Sequence, residues 1–300
     1  MHILITGGTG LIGSRLIPQL FSDHKLSVIT RNVAMAENVL SHKVALHSSL
    51  DKFSNLDEFD AVINLAGEPI VDRRWSEEQK QRICDSRWNI TERLVQLCNA
   101  GSNPPAVFIS GSAIGIYGRQ DDRVIDEDFS DYHDEFSHTV CQRWEDIALQ
   151  AKSPQTRVCI LRTGIVLSAQ GGALAKMLTP FKLGLGGPIG DGQQFMSWIH
   201  IRDMIDGIVF LLNEQKCEGV YNLTAPEPVT NEAFVRSLAA HLHRPCVMRA
   251  PAFALKAMLG ERADLVLYGQ RVIPKRLQDA GFTFSFPTLA EAMDNLSERF

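Results

Sequence analysis

The sequence predicts an α/β fold in which helices cover both faces of a doubly wound parallel sheet. Two observations carry this prediction. Short apolar runs alternate with helical patterns through the first half of the 300-residue chain, in the order β-α-β. A glycine-rich turn joins the first apolar run to the first helical pattern. After Gly164 glycine and proline become dense, which indicates a second, smaller lobe that is interleaved with the first.

The individual elements follow from apolar periodicity. Each predicted strand is a short apolar run of the kind that a parallel sheet buries on both faces. These strands are His2–Thr6, Leu26–Thr30, Val44–His47, Ala61–Leu65, Ala106–Ser110 and Val158–Thr163. Apolar residues at helical spacing predict helices at Leu11–Ser22, Glu77–Ala100 and His138–Ala151. The run Asn103-Pro104-Pro105 ends the middle helix, since proline cannot continue it.

A returning strand sets the predicted domain organisation. Val220–Leu223 is expected to rejoin the main sheet. Residues 1–165, with this return strand near 219–224, are therefore predicted to form the larger, Rossmann-type domain. Residues 166–300 are predicted to form a smaller C-terminal lobe, whose last part, from about residue 250, is a small appended segment.

Composition limits the classes of partner. Hydrophobic residues make up 45% of the chain and charged residues 22%, which is ordinary for a globular protein. The net charge of −5 argues against a nucleic-acid-binding surface. No apolar run reaches the roughly 18 residues of a membrane helix and no signal segment precedes the first strand, so a cytoplasmic location is expected. The six scattered cysteines fit reduced thiols and give no reason to expect a metal.

The glycine turn has the spacing Gly-x-x-Gly-x-x-Gly, at Gly7, Gly10 and Gly13. Gly7 allows a tight turn, Gly10 lets the backbone approach a pyrophosphate, and Gly13 lets the helix pack against the strand. The N–H groups at the start of that helix, around Leu11 and Ile12, would then face the anion. Because the turn lies between a strand and an amphipathic helix, it favours a dinucleotide site over a purely structural turn.

The end of the second strand indicates which dinucleotide is bound. It reads Thr30-Arg31-Asn32, where an NAD-binding protein usually carries Asp or Glu for the ribose hydroxyls. An arginine matches the 2′-phosphate of NADP in fork geometry, whereas an acidic residue would repel it. Arg31 therefore favours NADP(H), with a solvated arginine as the alternative. After the fourth strand, small residues in Asn64-Leu65-Ala66-Gly67 would let the cofactor pass close to the backbone.

Four strings together resemble the extended short-chain dehydrogenase/reductases, the superfamily of the nucleotide-sugar epimerases. They are Thr6–Gly13, Asn64–Gly67, Ser110–Ser112 leading to Tyr117-Gly118, and Trp198–Asp203. The resemblance covers essentially the whole chain, and further strings narrow it to one subgroup of the NAD(P)-dependent epimerase family. These are Gly67–Ile70, Arg74-Trp75, Asp85–Arg87, Gly184–Gly190, Val272–Leu277 and Gly281–Phe284.

The resemblance implies a protein that binds NADP(H). The residues that it implies beside the cofactor are Thr30, Arg31, Leu65, Ala66, Arg87 and, less directly, Arg82 and Arg162. Arg87 belongs to a predicted helix that should pack near the strand ends, so a phosphate contact fits its position. A surface arginine paired with a nearby acid is the alternative for this residue.

The usual catalytic pair of the superfamily is absent. Its active members use Tyr-x-x-x-Lys on the helix after the fifth strand, where lysine lowers the phenol pKa and tyrosine passes a proton. Here Ser137 stands at the tyrosine position and Cys141 at the lysine position. Ser112 matches the active-site serine of the superfamily, with a structural serine as the alternative. His138 and Cys141 share a helix face and could replace the proton relay, with simple packing as the alternative.

Three further predictions concern structural residues. His200 is expected to be a structural histidine, and Asp203 is expected to cap the helix that follows. The acidic residues between Asp121 and Asp128 are expected to form a solvated loop rather than a metal site. Alternation predicts one face of a strand that carries Phe282, Phe284 and Phe286.

Two functional hypotheses follow. The first is an NADP(H)-dependent epimerase or reductase that transfers a hydride to or from a small polar or nucleotide-linked substrate, held by the C-terminal lobe. The second is a cofactor-binding protein that has lost catalysis and senses the NADPH/NADP ratio or docks a partner. The intact glycine motif favours the first, and the missing tyrosine and lysine favour the second. Neither a nucleic acid nor a membrane is expected as a partner, and an oligomer is compatible with the superfamily analogy.

Overall fold

The computed structural model of the chain describes residues 1–40 and 44–300. Within these residues, thirteen strands are numbered along the chain. They are β1 His2–Thr6, β2 Lys25–Ile29, β3 Ala45–His47, β4 Ala61–Asn64, β5 Val107–Ala113, β6 Val124–Ile125, β7 Arg157–Thr163, β8 Ile165–Leu167, β9 Phe195–Met196, β10 Trp198–His200, β11 Gly219–Leu223, β12 Val229–Thr230 and β13 Arg271–Val272.

The helices of the same residues lie on both sides of the main sheet and in the C-terminal lobe. They are α1 Gly13–Leu20, α2 Val33–Val39, α3 Glu77–Asn99, α4 Phe136–Leu149, α5 Gly172–Lys182, α6 Ile201–Asn213, α7 Asn231–His241, α8 Ala252–Leu259, α9 Asp264–Leu267, α10 Lys275–Asp279 and α11 Leu289–Ser297. Short 3-10 turns occupy Ile114–Tyr117 and Gly260–Ala263.

The main sheet has the strand order β11-β7-β5-β4-β1-β2-β3 in the described part of the chain. Every neighbouring pair in it is parallel. The strand order reverses between β1 and β4, which confirms the predicted doubly wound α/β fold. Periodicity also locates its strands well: β1 has the predicted bounds, and β5 differs most because it continues to Ala113.

Both faces of the main sheet are buried. Ile3 and Ile5 belong to the apolar cluster on one face, together with Leu16 of α1. Leu4 belongs to the cluster on the opposite face, together with Leu94 of α3. Successive side chains of a strand point to opposite faces. Since helices cover both faces, the strand must be apolar at every position, which is why it appears in the sequence as a continuous apolar run.

The C-terminal part of the chain joins the main sheet and also has a core of its own. The strand predicted at Val220–Leu223 is β11, which pairs with β7 along its whole length. A separate apolar cluster contains Trp198 of β10, Phe234 of α7 and Met293 of α11. The division of the chain near residue 165 stays a prediction.

The strand predicted around Phe284 is wrong. No regular element is assigned between α10 and α11 in the described structure, and the phenylalanines there pack on different partners. The Phe284 ring meets the Phe282 ring edge-on, with centroids 4.8 Å apart. The Phe286 ring instead lies 3.9 Å from the ring of His200. Phe282 and Phe284 therefore share one packing site and Phe286 occupies another, so the three rings do not line one strand face.

The expected cap at Asp203 is also wrong. Asp203 lies in the first turn of α6, but its carboxylate accepts hydrogen bonds from Ser285 N at 2.8 Å and Phe286 N at 3.0 Å. The cap is His200, whose Nδ1 accepts from Arg202 N at 3.1 Å. Asp203 therefore anchors the segment before α11 to the main body of the protein.

Residues 1–40 and 44–300 contain no helix with the length and apolar character that crossing a membrane requires. The same residues contain no group of three or more His, Cys, Asp or Glu side chains placed to hold a metal ion. All six cysteines are free thiols, and five of them are buried.

Candidate functional site

The carboxyl ends of β1 and β4 meet where the strand order reverses, the position at which open parallel sheets bind ligands. Thr6, the last residue of β1, donates its hydroxyl to Asn64 Oδ1 at 2.6 Å and accepts a hydrogen bond from Ala66 N at 3.2 Å. Asn64, the last residue of β4, donates to Thr91 Oγ1 of α3 at 2.8 Å. These bonds fix the backbone that follows both strands, including Leu65 and Ala66.

The glycine turn packs tightly except at its centre. Gly7 has φ +69°, and a Cβ there would lie 2.4 Å from Leu65 O. A Cβ on Gly13 would lie 2.4 Å from Gly7 O, so only glycine lets α1 start directly against the turn. Gly10 is exposed, and a Cβ there would meet Gly7 O at 3.2 Å and no other described atom within 4 Å. The surface beside Gly10 is therefore open to close approach by a ligand.

The start of α1 leaves donors free beside that open surface. The helix begins at Gly13, later than the predicted Leu11, so Leu11 and Ile12 belong to the turn. Their N–H groups have no protein acceptor among the described residues. Free N–H groups at a helix N-terminus attract an anion, which fits the predicted pyrophosphate contact.

Arg31 lies at the surface, just beyond the end of β2. Its side chain is 91% exposed and contacts the carboxylate of Glu68, with NH2 3.9 Å from Oε2. The neighbouring Thr30 is half-buried, and its hydroxyl lies 3.3 Å from Asn32 O. An exposed guanidinium at this strand end is available for a phosphate group.

Arg87 on α3 is half-buried rather than solvated. Its NH1 donates to Ile83 O at 2.9 Å and its NH2 to Glu68 O at 3.0 Å. The guanidinium packs on Gly67, where a Cβ would lie 3.1 Å from Arg87 Cζ. Burial lowers the pKa of Arg87. The guanidinium of Arg87 thus donates to backbone carbonyl oxygens. The alternative of a surface arginine paired with an acid does not describe this residue.

Arg162 is buried in a different network. Its Nε and NH2 donate to the two carboxylate oxygens of Glu145 at 3.0 and 2.8 Å, and its NH1 donates to Tyr117 OH at 3.1 Å. Burial opposes the charge of Arg162, but Glu145 raises the pKa of its guanidinium above the usual value. Because these donors already bind Glu145 and Tyr117, Arg162 is not placed to contact the cofactor as the resemblance implies. Arg82, the weaker candidate, is exposed and pairs with Glu78 at 2.6 Å.

Ser112 at the end of β5 belongs to the same buried network. Its hydroxyl donates to Glu145 Oε1 at 2.6 Å, and the residue is 5% exposed. The hydroxyl proton is thus directed at Glu145. Ser112 keeps acceptor capacity for a ligand, but it would have to release Glu145 to act as a donor.

Cys141 and His138 do not form a paired relay in the structure. Cys141 packs in an apolar cluster with Ile116 and Tyr117. Burial raises the pKa of its thiol to about 11, so the thiol stays neutral near pH 7. His138 is half-buried, and its Nδ1 lies 2.5 Å from Ile116 O. Because a carbonyl oxygen can only accept, Nδ1 carries the hydrogen and Nε2 is the basic nitrogen.

Ser137, at the tyrosine position, has a carboxylate beside it. Its hydroxyl donates to Glu135 Oε1 at 2.5 Å. Arg119 contacts the other oxygen of Glu135, with Nε 3.4 Å from Oε2. Gly115 allows close packing here, since a Cβ at that position would lie 3.2 Å from Ser137 Cβ. The place of the missing tyrosine and lysine therefore holds a serine and a neutral thiol, with Glu135 at its edge.

The appended C-terminal segment contacts this part of the larger domain through two ion pairs. Lys80 Nζ of α3 lies 2.7 Å from Glu261 Oε2. Arg119 NH2 lies 3.2 Å from Asp264 Oδ2. The Trp75 and Phe136 rings, 4.8 Å apart, pack beside Lys80. The segment therefore borders α3 and the start of α4, where Ser137 lies.

Two buried acids escaped the sequence analysis. Glu145 follows Ser137 and Cys141 at helical spacing on α4, and this i, i+4, i+8 pattern was the available signal. Glu127, expected in a solvated loop, is 6% exposed and accepts from Asn222 N at 2.9 Å. Burial raises the pKa of Glu127, and the backbone hydrogen bonds oppose that rise. No local signal marks Glu127, because β11 and α10 supply its partners.

Family models match most of the chain. The model described as the NAD dependent epimerase/dehydratase family matches residues 3–224. A second model, a domain of unknown function, matches residues 250–296. The second match coincides with the appended segment.

Full-length relatives carry the same family designation. An Arabidopsis thaliana protein named epimerase family protein SDR39U1 homolog, chloroplastic, is 39% identical over 300 residues, which cover 98% of this chain and 86% of the relative. An epimerase family protein of Mycobacterium leprae is 38% identical over 301 residues, covering 99% and 96% of the two chains.

Solved structures of epimerase-type proteins superpose on the whole chain. The crystal structure of human epimerase family protein SDR39U1 with NADPH superposes with a TM-score of 0.92 at 33% identity and covers 100% of both chains. The UDP-glucuronic acid 4-epimerase of Bacillus cereus, solved with UDP-glucuronic acid and NAD, superposes with a TM-score of 0.79. It covers 100% of this chain and 98% of its own, but at 18% identity it supports the fold alone.

Proposed function

The chain belongs to the NAD dependent epimerase/dehydratase family, and we propose that it is an NADP(H)-dependent oxidoreductase or epimerase acting on a small polar or nucleotide-linked substrate. The observation that carries the proposal is the open glycine turn at the reversal of strand order, with Arg31 on the β2 side and Arg87 on the β4 side. The human relative solved with NADPH supports the choice of cofactor.

The residues of the turn fit a dinucleotide. The open surface beside Gly10 and the free N–H groups of Leu11 and Ile12 suit a pyrophosphate, and Arg31 suits a 2′-phosphate. The proposed cofactor contacts are Gly7, Gly10, Leu11, Ile12, Gly13, Thr30, Arg31, Leu65, Ala66, Gly67 and Arg87. When bound, the nicotinamide supplies hydride chemistry, which no side chain of this protein can supply.

We assign cofactor binding to residues 1–165 with the return strand and substrate contacts to residues 166–300. The ion pairs of Lys80 and Arg119 with the appended segment support this assignment, since they bring the C-terminal lobe beside Ser137. A cytoplasmic location remains a prediction, and the Arabidopsis relative is designated chloroplastic.

For the chemical step, Ser112 and His138 remain the candidates. Ser112 would orient a substrate oxygen, and His138 would exchange a proton through Nε2. Cys141 is not retained, because a buried neutral thiol with a raised pKa is a poor proton carrier near pH 7. Ser137 and Glu135 provide a further polar pair at the same place.

A fluorescence titration tests the cofactor proposal. The wild-type protein is expected to bind NADPH at least about tenfold more tightly than NADH, because a charge-assisted contact contributes about 1.5–3 kcal/mol. Arg31→Ala is expected to abolish most of that preference. Arg202→Ala is the matched control, since Arg202 is 69% exposed on α6 and pairs with Asp206. Equal affinity of the wild type for NADPH and NADH would exclude the proposed role of Arg31.

A second candidate function has a specific observation in its favour. Ser112 is engaged by Glu145, and no phenol or amine occupies positions 137 and 141. These features suit a protein that binds NADP(H) without turning it over and reports the NADPH/NADP ratio. A screen of ketones and sugar nucleotides for NADPH oxidation separates the two. If the wild type turns over a substrate, and Ser112→Ala and His138→Gln reduce that turnover, the result supports an enzyme. If the wild type binds NADPH but oxidises it with none of the substrates in the screen, the result supports a sensor of the NADPH/NADP ratio.

A further inference from the structure

Glu68 connects the two arginines of the proposed cofactor site. Its backbone N–H donates to Ser86 Oγ at 2.9 Å, and its carbonyl accepts from Arg87 NH2 at 3.0 Å. The main chain of Glu68 is therefore fixed against α3. Its carboxylate is 22% exposed and lies 3.9 Å from the guanidinium of Arg31. This carboxylate can leave Arg31 by rotation of its own side chain, without any movement of the backbone.

The ion pair between Arg31 and Glu68 crosses the end of β1. Arg31 lies two residues beyond β2, Glu68 lies four residues beyond β4, and β1 stands between these strands. Neighbouring strands are about 4.8 Å apart, so β2 and β4 are separated by roughly 10 Å, which the two long side chains together bridge. The pair thus spans the edge of the sheet where the glycine turn begins.

We propose that Glu68 is a specificity-determining residue whose carboxylate competes with the 2′-phosphate of NADP(H) for Arg31. The inference rests on the proposed function of the site. A 2′-phosphate carries a charge of about −1.5 to −2 at pH 7, so it displaces the carboxylate from Arg31. Because the backbone of Glu68 is fixed, the displaced carboxylate stays within reach of Arg31 and competes with the phosphate for its guanidinium. NADH has a hydroxyl group in place of this phosphate and leaves the pair intact.

The test compares Glu68→Gln with the wild type in titrations with NADPH and with NADH. Glutamine keeps the backbone bonds and the side-chain size but removes the charge. NADPH is expected to bind about three- to fivefold more tightly to the variant, because its phosphate no longer has to displace a carboxylate from Arg31. NADH affinity is expected to change by less than about twofold. Glu298→Gln, exposed beyond α11, controls for net charge.

A double-mutant cycle shows whether Arg31 mediates the effect. In an Arg31→Ala background, Glu68→Gln is expected to improve NADPH binding by less than about twofold, because the two groups no longer share a partner. The same gain with and without Arg31 would overturn the inference. So would an unchanged ratio of NADPH to NADH affinity in Glu68→Gln. Either result leaves the proposed function standing if the wild type still prefers NADPH.

The two proposals fail in distinguishable ways. Wild-type protein that binds no NADPH would overturn the proposed function and this inference together. If Glu68→Gln shows no cooperative thermal unfolding transition, Glu68→Asp replaces it in the titrations. Aspartate keeps the charge, but its shorter side chain holds that charge farther from Arg31. Glu68→Asp is then expected to shift the ratio of affinities toward NADPH by about twofold, and an unshifted ratio would overturn the inference.

Discussion

Breaking the ion pair between Arg162 and Glu145 is expected to destabilise the protein strongly. Their side chains are 6% and 5% exposed, and the guanidinium makes two hydrogen bonds to the carboxylate, at 3.0 and 2.8 Å. Arg162→Met would leave Glu145 as a buried charge with the hydroxyl of Ser112 as its remaining donor in the described structure. Removing one partner of a buried pair costs about 3–5 kcal/mol. We expect the free energy of unfolding to fall by that amount.

Urea unfolding followed by circular dichroism measures the loss. The double variant Arg162→Met/Glu145→Leu removes both charges and is expected to recover most of the stability, since an apolar pair of similar volume is often neutral. Arg82→Met is the matched control, because its pair with Glu78 is exposed and should contribute less than about 1 kcal/mol. A loss below about 1 kcal/mol in Arg162→Met, or a double variant no more stable than the single one, would show that the uncompensated charge of Glu145 does not destabilise the protein.

Three further predictions test the turn, a buried histidine and a buried thiol. Gly13→Ala is expected to lower the free energy of unfolding in urea by about 1–3 kcal/mol, because its Cβ would clash with the turn. Gly10→Ala is expected to leave the free energy of unfolding unchanged and to weaken NADPH binding. Equal losses of stability in the two variants would contradict the difference in packing. Burial lowers the pKa of His200 to about 4, below its value of about 6.5 in an unfolded chain. The contribution of the neutral His200 to the free energy of unfolding is therefore complete above pH 6.5. It falls by up to about 3 kcal/mol as the pH decreases toward 4, because the unfolded chain takes up the proton first. His200→Asn keeps an acceptor for the helix N-terminus, so it should flatten that part of the pH profile of urea unfolding, and an unchanged slope would refute the assignment. Cys141 is expected to resist maleimide labelling in the native protein, as peptide mapping would show, and labelling as fast as in urea would contradict its burial.

Features that depend on neighbouring residues could be predicted from the sequence. The bounds of β1 and the tight packing of Gly7 and Gly13 follow from a few consecutive residues, because a buried parallel strand and a turn with a positive φ each restrict residue type locally. The pairing of β11 with the main sheet could also be predicted, since the apolar run Val220–Leu223 is typical of a buried strand. The position of Arg31 just beyond the end of β2 could also be predicted, because it depends only on where that strand ends.

Features that depend on distant partners could not be predicted in this way. Arg162 looked like a cofactor contact, but its charge is satisfied by Glu145 on another element, and only the packing of α4 against β7 brings the two together. Glu127 looked solvated because its neighbours are acidic, yet the backbone of Asn222 and of Arg276 binds it. Buried polar groups are placed by their partners, so residue type and spacing alone do not locate them.

A crystal structure of the protein with NADPH would show whether the glycine turn and Arg31 hold the cofactor. We expect the pyrophosphate beside Gly10, within hydrogen-bond distance of the N–H groups of Leu11 and Ile12, and the 2′-phosphate on Arg31 with Glu68 displaced. A nucleotide bound away from the carboxyl ends of β1 and β4, or an Arg31 still paired with Glu68 while NADPH is bound, would contradict this expectation.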